Sequence, residues 1–508
     1  MSVTDATGQP PGAAVISEDD KRLHEMGYPR VLLQRMSAFE AFSVPFGTIS
    51  ILTGPITLFL FAMTTGGPQP LMISWIVGGP LALCVAVAMG RIGSRWPAAG
   101  AIYYWTAKMS RRPITSWIAA WLNGLGKIAG TTAAAYSCAL FIGAFAALRD
   151  GFTITPWRTF WIFVAILALC ALVNAFAVTL VGKLNALSAI VHVGGALVLV
   201  AALVLLPHHH QSVGFVFGHF ENQTGFSQSW YVWFLSPLTL MYTMTGIDSA
   251  GDMAENTVRS QTNPSRAMIH SVLWSWVLGG LLIFAFCYAI QDYQREAATA
   301  YGVPPAQIIV DAIGGSGATF LLLVLIAGQL FCVMACFTAS PRMAWALARD
   351  KALPFSKQLG TVARNNVPRN ALAAFLLLTI IPGLATVKSP TFFYAVTAVS
   401  ATGLFVSYGI AIFLSVRRGS RFEPGPWNPR GGRAAARVAV GYIAVAAVLI
   451  CLPTVRDFAH WRSFNYTPIA LVGALLCAVA WRVLVDRGNY RGPVSYGTAE
   501  QLAALEKD

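Results

Sequence analysis

Charge is what this sequence has least of. Only 11% of its 508 residues are Asp, Glu, Lys or Arg, against roughly 25% in a soluble domain. A soluble chain this long would need far more polar surface to cover itself. An ordinary soluble enzyme is therefore excluded, and a hydrophobic content of 56% excludes a disordered chain. Histidine is sparse, at 8 residues. One run, His208-His209-His210, reads as a flexible interfacial loop, and the rest are scattered. They do not supply the clustered acid–base set that a membrane-embedded enzyme needs, so no enzymatic activity is expected. The eight cysteines (Cys84, Cys138, Cys170, Cys287, Cys332, Cys336, Cys451 and Cys477) form no CxxC pair and lie in or beside apolar runs. Neither a disulfide scaffold nor a metal site is expected, and no cofactor. Cys332 and Cys336 share a helix face and read as small packing residues. The first 36 residues lack the apolar core of a signal peptide.

What the sequence has is long apolar runs. A bilayer core of about 30 Å needs roughly 20 apolar residues per helix. Such runs lie at about 37–64, 71–91, 113–148, 158–180, 186–206, 230–254, 266–290, 318–348, 371–388, 392–416, 437–453 and 466–484. The expected fold is an all-α polytopic membrane protein with twelve transmembrane helices. The segment 303–317 reads as a short re-entrant or surface helix. Basic loops holding Arg91, Arg95, Lys108, Arg111 and Arg112, then Arg349, Lys351, Lys357, Arg364 and Arg369, then Arg417, Arg418, Arg421, Arg430 and Arg433 alternate with poorly basic ones. This is the positive-inside pattern. It predicts a multi-pass protein of the plasma (inner) membrane with both termini cytoplasmic. The net charge of +14 is thereby explained without a nucleic-acid partner. The chain divides into a cytoplasmic tail (1–36), a ten-helix core (37–416), a basic loop (417–436), helices eleven and twelve (437–484) and a second tail (485–508).

Two runs, the first and the sixth, are interrupted. Residues 45–55 read Pro-Phe-Gly-Thr-Ile-Ser-Ile-Leu-Thr-Gly-Pro, and residues 243–251 read Thr-Met-Thr-Gly-Ile-Asp-Ser-Ala-Gly. Broken backbone is tolerated in a membrane only where it is buried or lines a cavity. Paired breaks five spans apart point to inverted halves with a midplane binding site. Backbone groups of Ser50, Ile51, Thr53 and Gly54 suit a carboxylate. Tyr242, Thr243, Thr245 and Gly246, with Asp248, suit an amine. Asp248 equally suits a structural bond that holds the turn open. Lys127, far from any basic loop, is expected to pair with Asp248 or a substrate carboxylate and to disfavour cationic substrates. His192, read near the cytoplasmic end of the fifth span, is a candidate for proton coupling together with Lys127. Glu40 is expected to pair with a cytoplasmic Arg or Lys. Asp252 and Glu255 read as an inner gate closing on Arg35 or Arg342.

Four stretches carry a resemblance. They are Thr53-Gly54-Pro55-Ile56; Gly93-Ser-Arg-Trp-Pro97-Ala-Ala-Gly100-Ala-Ile-Tyr103-Tyr104-Trp105; Thr245-Gly246-Ile247-Asp248 to Glu255 with Asn263-Pro264-Ser265-Arg266; and Arg342 to Arg349-Asp350 with Leu353-Pro354. Together and in order they resemble the amino acid–polyamine–organocation superfamily, and most of all its amino acid/choline transporter branch. The resemblance implies a LeuT-type fold of five plus five inverted helices and two extra. It also implies a substrate site at the breaks of helices one and six. His192 falls where some members place a Lys that stands in for sodium, which favours protons. Ile247 replaces the family's aromatic residue, Asn256 its second glutamate, and Lys127 a common Gln, and residues 258–262 lengthen a loop.

The expected function is secondary active transport of an amino acid or related small amine, with protons, by alternating access in the lipid bilayer. The alternatives are a choline, ethanolamine, polyamine or GABA transporter of the same fold, an exchanger, an ion channel, or a sensor that binds without transport.

Overall fold

The computed structural model describes residues 17–176, 178–363, 365–388, 390–458, 464–486 and 490–505; residues 1–16 of the tail and Arg364 lie outside them. Among the described residues, eleven helices are long and apolar enough to cross a membrane. We number the crossings in chain order. The first, α1, is Ala38–Thr64. It is followed by α2 Pro68–Arg95, α3 Pro113–Asp150, α4 Pro156–Phe176 and α5 Val178–Leu205. The sixth crossing, α6, comes in pieces and so escapes that count: Ser229–Leu235, Leu238–Thr243 and Ser249–Asp252. Then come α7 Asn263–Tyr288, α8 Gly315–Arg349, α9 Arg369–Thr386, α10 Pro390–Arg418, α11 Gly432–Ile450 and α12 Thr467–Trp481. The chain is thus all-α and polytopic. The short helix expected after Pro304-Pro305 is present at Pro304–Ile313.

Local signals set the helix starts. Ser37 and Glu40 cap α1 reciprocally, the Glu40 carboxylate accepting from Ser37 N at 2.8 Å. The helices α2, α3, α7 and α12 carry Pro in their first turn, where its missing N–H costs no bond. The crossings α2 and α7 lock through a reciprocal pair: Trp75 Nε1 donates to Trp276 O at 2.8 Å and Trp276 Nε1 to Trp75 O at 3.1 Å. Leu169, Leu172 and Phe176 on α4 and Leu377 and Ile381 on α9 stay exposed, a face suited to acyl chains.

The described part of the N-terminal tail packs on the bundle. A helix at Glu18–Glu25 sends the Asp19 carboxylate to Arg259 N, Ser260 N and Ser260 Oγ, each at 2.8 Å. Tyr28 Oη donates to Asp350 at 2.9 Å, and burial raises its phenol above the ordinary range. At the other end of α1, strand β1 (Thr65–Gly66) pairs antiparallel with β2 (Glu221–Asn222). A short helix, Tyr293–Ala297, fastens the same end, Tyr293 Oη donating to Met63 O at 2.6 Å.

That helix holds a pH-sensitive group. Glu296 is buried; among the described residues one carboxyl oxygen accepts from Gln291 N, and the other has no hydrogen-bond partner. Burial pushes its carboxyl from 4.5 up to about 7. A folded-state pKa above the unfolded one means that the folded form holds the proton more tightly. The stabilisation is whole below about 4.5 and is lost as pH rises toward about 7. The unfolding temperature should therefore fall as pH rises through this window in the native protein and run flatter in Glu296→Gln. Parallel pH profiles would refute this.

Candidate functional site

Both predicted breaks are real. The first half of α1 ends at Ile49, and Ser50 takes φ +43°, ψ 96°, a conformation that side-chain-bearing residues rarely adopt. The helix resumes at Gly54–Thr57. In α6 the helix stops at Thr243, Gly246 takes φ +87°, and helix resumes at Ser249. Among the described residues, the amides of Ile51 and Leu52 in one break and of Ile247 and Asp248 in the other find no protein acceptor. Such amides at interrupted helices are ready donors for an anionic group.

The two breaks interlock. A Cβ added at Gly54 would stand 2.5 Å from Thr243 Cγ2, and one added at Gly246 would run into Thr48 Cγ2. Each glycine lets the opposite threonine approach. Between the breaks lies a cavity of about 30 Å³, room for a water or two. Thr53, Gly54, Lys127, Tyr242, Thr245 and Gly246 line it. The other residues read as contacts, Ser50, Ile51, Thr243 and Asp248, do not line it. Thr243 Oγ1 donates to Thr239 O and packs on Gly54 instead.

The charged centre differs from expectation. Lys127 does meet Asp248, at 2.9 Å, but it also meets Asp252, in a still shorter contact. All three are buried. Lys127 is therefore not free to meet a substrate carboxylate or to repel a cation: one ammonium faces two carboxylates. Asp248 is saturated. Its Oδ1 accepts from Tyr408 Oη at 2.6 Å and its Oδ2 from Asn123 Nδ2 at 2.8 Å. Tyr408 also accepts from Gly246 N at 3.2 Å, so Asp248 holds the unwound turn to α10 and α3. Among the described residues, one oxygen of Asp252 is buried with no hydrogen-bond partner.

The proposed gate pairs also part company. Asp252 is not at a mouth. Glu255, three residues on and inside a tight turn at Ala254–Asn256, pairs with Arg349 at 3.3 Å and accepts from Ala99 N at 2.9 Å. Arg349 stacks over Tyr28, 3.7 Å from the ring centre. Arg342 donates to Asn256 and to Thr338 O, not to either acid. Among the described residues, Glu40 pairs with no Arg or Lys; its carboxylate caps its own helix. Glu40, Arg35 and Arg342 line a separate cavity of about 430 Å³ on the tail side.

His192 stands in mid-helix rather than near a helix end, because α5 begins earlier than read. The ring is fully buried. Nδ1 lies 2.7 Å from Ser188 O, which can only accept, so Nδ1 carries the hydrogen. Nε2 lies 2.8 Å from Ser50 Oγ, whose oxygen in turn lies 2.8 Å from Thr53 Oγ1. The histidine thus braces the strained residue of the first break.

Other lining residues were missed. Gly126, Gly130 and Thr131 of α3, Cys332, Cys336 and Ser340 of α8, and Leu404 of α10 also line the cavity. The spacing of four between Cys332 and Cys336 marked one face, and the wall is that face; Gly126, Gly130 and Thr131 flank Lys127 on its own helix. Nothing local singled out Tyr408, since a tyrosine on an apolar helix reads as packing.

The fold and site define a polytopic helical membrane protein with two opposed discontinuous helices around a small central cavity. The chain belongs to the amino acid permease family, whose model matches residues 36–475, within the amino acid–polyamine–organocation superfamily. It is 29% identical to the amino-acid permease BAT1 of Arabidopsis thaliana, over 95% of this chain and 97% of that one. It is 30% identical to a BAT1 homologue of Oryza sativa subsp. japonica, over 93% and 95%. It is 25% identical to amino-acid permease 2 of Neurospora crassa, over 97% and 92%.

Proposed function

We propose that this permease carries an amino acid across the plasma membrane by proton-coupled alternating access, with both termini cytoplasmic. The observation that carries the reading is the apposition of the two breaks beside one buried ammonium shared by two carboxylates. Free amides of the α1 break receive the substrate carboxylate. Backbone carbonyls near Tyr242, Thr243 and Thr245 receive its amine. The cavity is nearly shut, so loading requires α1, α2, α6 and α7 to move against the other helices. With both carboxylates ionised, the triad's formal charge is −1. That removes the repulsion Lys127 alone would exert on an amine, and with free amides left for a carboxylate the site suits a zwitterion.

The proton has two candidate seats. Asp252 has an unpartnered oxygen, and protonating it brings the triad to neutrality. Buried carboxylates of this kind are the usual relays of transporters. His192 is the second, since protonating Nε2 would reverse its bond to Ser50 at the break. Protein reconstituted in liposomes should accumulate a labelled amino acid under an inward proton gradient. Asp252→Asn should keep exchange of internal for external substrate yet lose at least ~10-fold of gradient-driven accumulation. Full accumulation by Asp252→Asn, with loss in His192→Gln, would move the proton to the histidine. No accumulation of any amino acid under any ion gradient would defeat the reading.

A further inference from the structure

We propose that a cleft between the start of α3 and the end of α10 binds an anionic phospholipid through its phosphate. The cleft has about 980 Å³ and lies apart from the central cavity. Arg111 and Arg112 stand on one wall, and Arg417, Arg418 and Arg421 on the other. Arg418 is fixed in place: Nε donates to Met109 O at 3.2 Å and Nη2 to Lys108 O at 2.8 Å, which ties the two walls together. Among the described residues, no carboxylate pairs with any of the five. Five guanidiniums gathered without a counter-charge repel one another, and an anion between them relieves that repulsion. Guanidinium forks match phosphate oxygens.

The rest of the cleft selects the kind of anion. Its wall continues along α10 as Ile410, Phe413 and Leu414, and Phe413 is 50% exposed. These residues lie on a helix apolar enough to span the membrane. A phosphate at the basic end and hydrocarbon along the apolar end describe a phospholipid. Inorganic phosphate would leave most of the volume and all of the apolar wall unused. Basic pockets between membrane helices hold lipid headgroups in this way.

The test uses the full-length protein in phosphatidylcholine nanodiscs, with and without phosphatidylglycerol. Native mass spectrometry counts the retained lipid, and thermal unfolding reports its effect. Phosphatidylglycerol should raise the unfolding temperature, and one molecule should be retained. Affinity should fall about five-fold for each arginine removed, so roughly 100-fold in Arg111→Gln/Arg417→Gln/Arg421→Gln. A control with equal charge loss outside the cleft, Lys183→Gln/Lys351→Gln/Lys357→Gln, should bind as the parent does. If the triple variant does not fold, Arg421→Gln alone should show the five-fold loss. Equal weakening in the control would make the attraction diffuse and overturn the site. So would stabilisation by millimolar inorganic phosphate equal to that by the lipid, or the absence of any phosphatidylglycerol effect on the parent.

Discussion

Lys127→Met should cost the permease most of its folded yield. Lys127 is the sole cation touching Asp248 and Asp252 among the described residues. Asp248 would retain its bonds from Tyr408 and Asn123. Asp252 would retain none, since its other oxygen is already without a hydrogen-bond partner. Removing one partner of a buried ion pair costs about 3–5 kcal/mol, because the remaining charge stays desolvated. That is a large fraction of the 5–15 kcal/mol that holds a typical fold. Monodisperse yield and thermal unfolding in detergent would measure the loss. The double variant Lys127→Met/Asp252→Asn should be the more informative. Asp252→Asn alone leaves a one-to-one pair between Lys127 and Asp248 and should destabilise little. In the Lys127→Met background it removes the worst-placed charge and should recover part of the stability. Such non-additivity is the signature of direct coupling. If the two changes simply add, Lys127 and Asp252 do not interact as the geometry has them.

The second large effect is expected at Gly246→Ala. Two penalties arise together. An alanine at φ +87° costs on the order of 1–2 kcal/mol of backbone strain. Its Cβ also collides with Thr48 Cγ2, and Thr48 is held to its helix by a 2.9 Å bond to Val44 O. Relief requires the first half of α1 to back away from the α6 break. Site geometry displaced by about 1 Å can cost roughly 100-fold in rate. Transport should therefore fall at least ~100-fold while much of the folded protein survives. Thr48→Ser removes the obstructing methyl and keeps the hydroxyl. Gly246→Ala/Thr48→Ser should regain a measurable part of uptake, short of the parent because the backbone strain remains. Gly54→Ala should lose transport as well but resist rescue by Thr243→Ser, because Thr243 Oγ1 and Cβ, 2.7 and 2.8 Å from the added Cβ, remain. Unchanged uptake in Gly246→Ala would mean that the breaks need not meet.

Much of the fold was legible because membrane physics writes it in large letters. Apolar runs of helical length gave the eleven helices long enough to cross and the broken sixth run between them. The Gly-Pro pair at 54–55 and the Thr-Gly pair at 245–246 gave both breaks, since each interrupts an apolar run that has no cheaper reason to contain them. Helix starts were less legible. Lys183 was read as loop, yet it lies exposed on α5, where a long side chain can run along the helix toward water. That error moved His192 from mid-helix to a helix end.

The charged site was harder to read because its partners lie far apart in sequence. That Lys127 meets α6 followed from its isolation in an apolar helix. Its bond to Asp252 as well as Asp248 depends on how α6 winds after Gly246, which local residues do not fix. Asp252 and Glu255 looked alike as two acids at one mouth. Asp252 ends the helical piece Ser249–Asp252 and faces Lys127, whereas Glu255 sits in the tight turn Ala254–Asn256 and faces Arg349. Tyr408 and Asn123, which saturate Asp248, carried no local mark.

The central claim is that an amino acid occupies the cavity between the two breaks. Native thiols test it without mutation, since Cys332 and Cys336 line that cavity, whereas Cys477 is exposed on α12. Labelling rates at each cysteine, read by mass spectrometry on protein in liposomes, should show slow reaction at Cys332 and Cys336. A transported amino acid should slow it at least ~10-fold further and leave Cys477 unchanged. Rates at Cys332 and Cys336 that no amino acid alters, while uptake proceeds in the same liposomes, would contradict the claim.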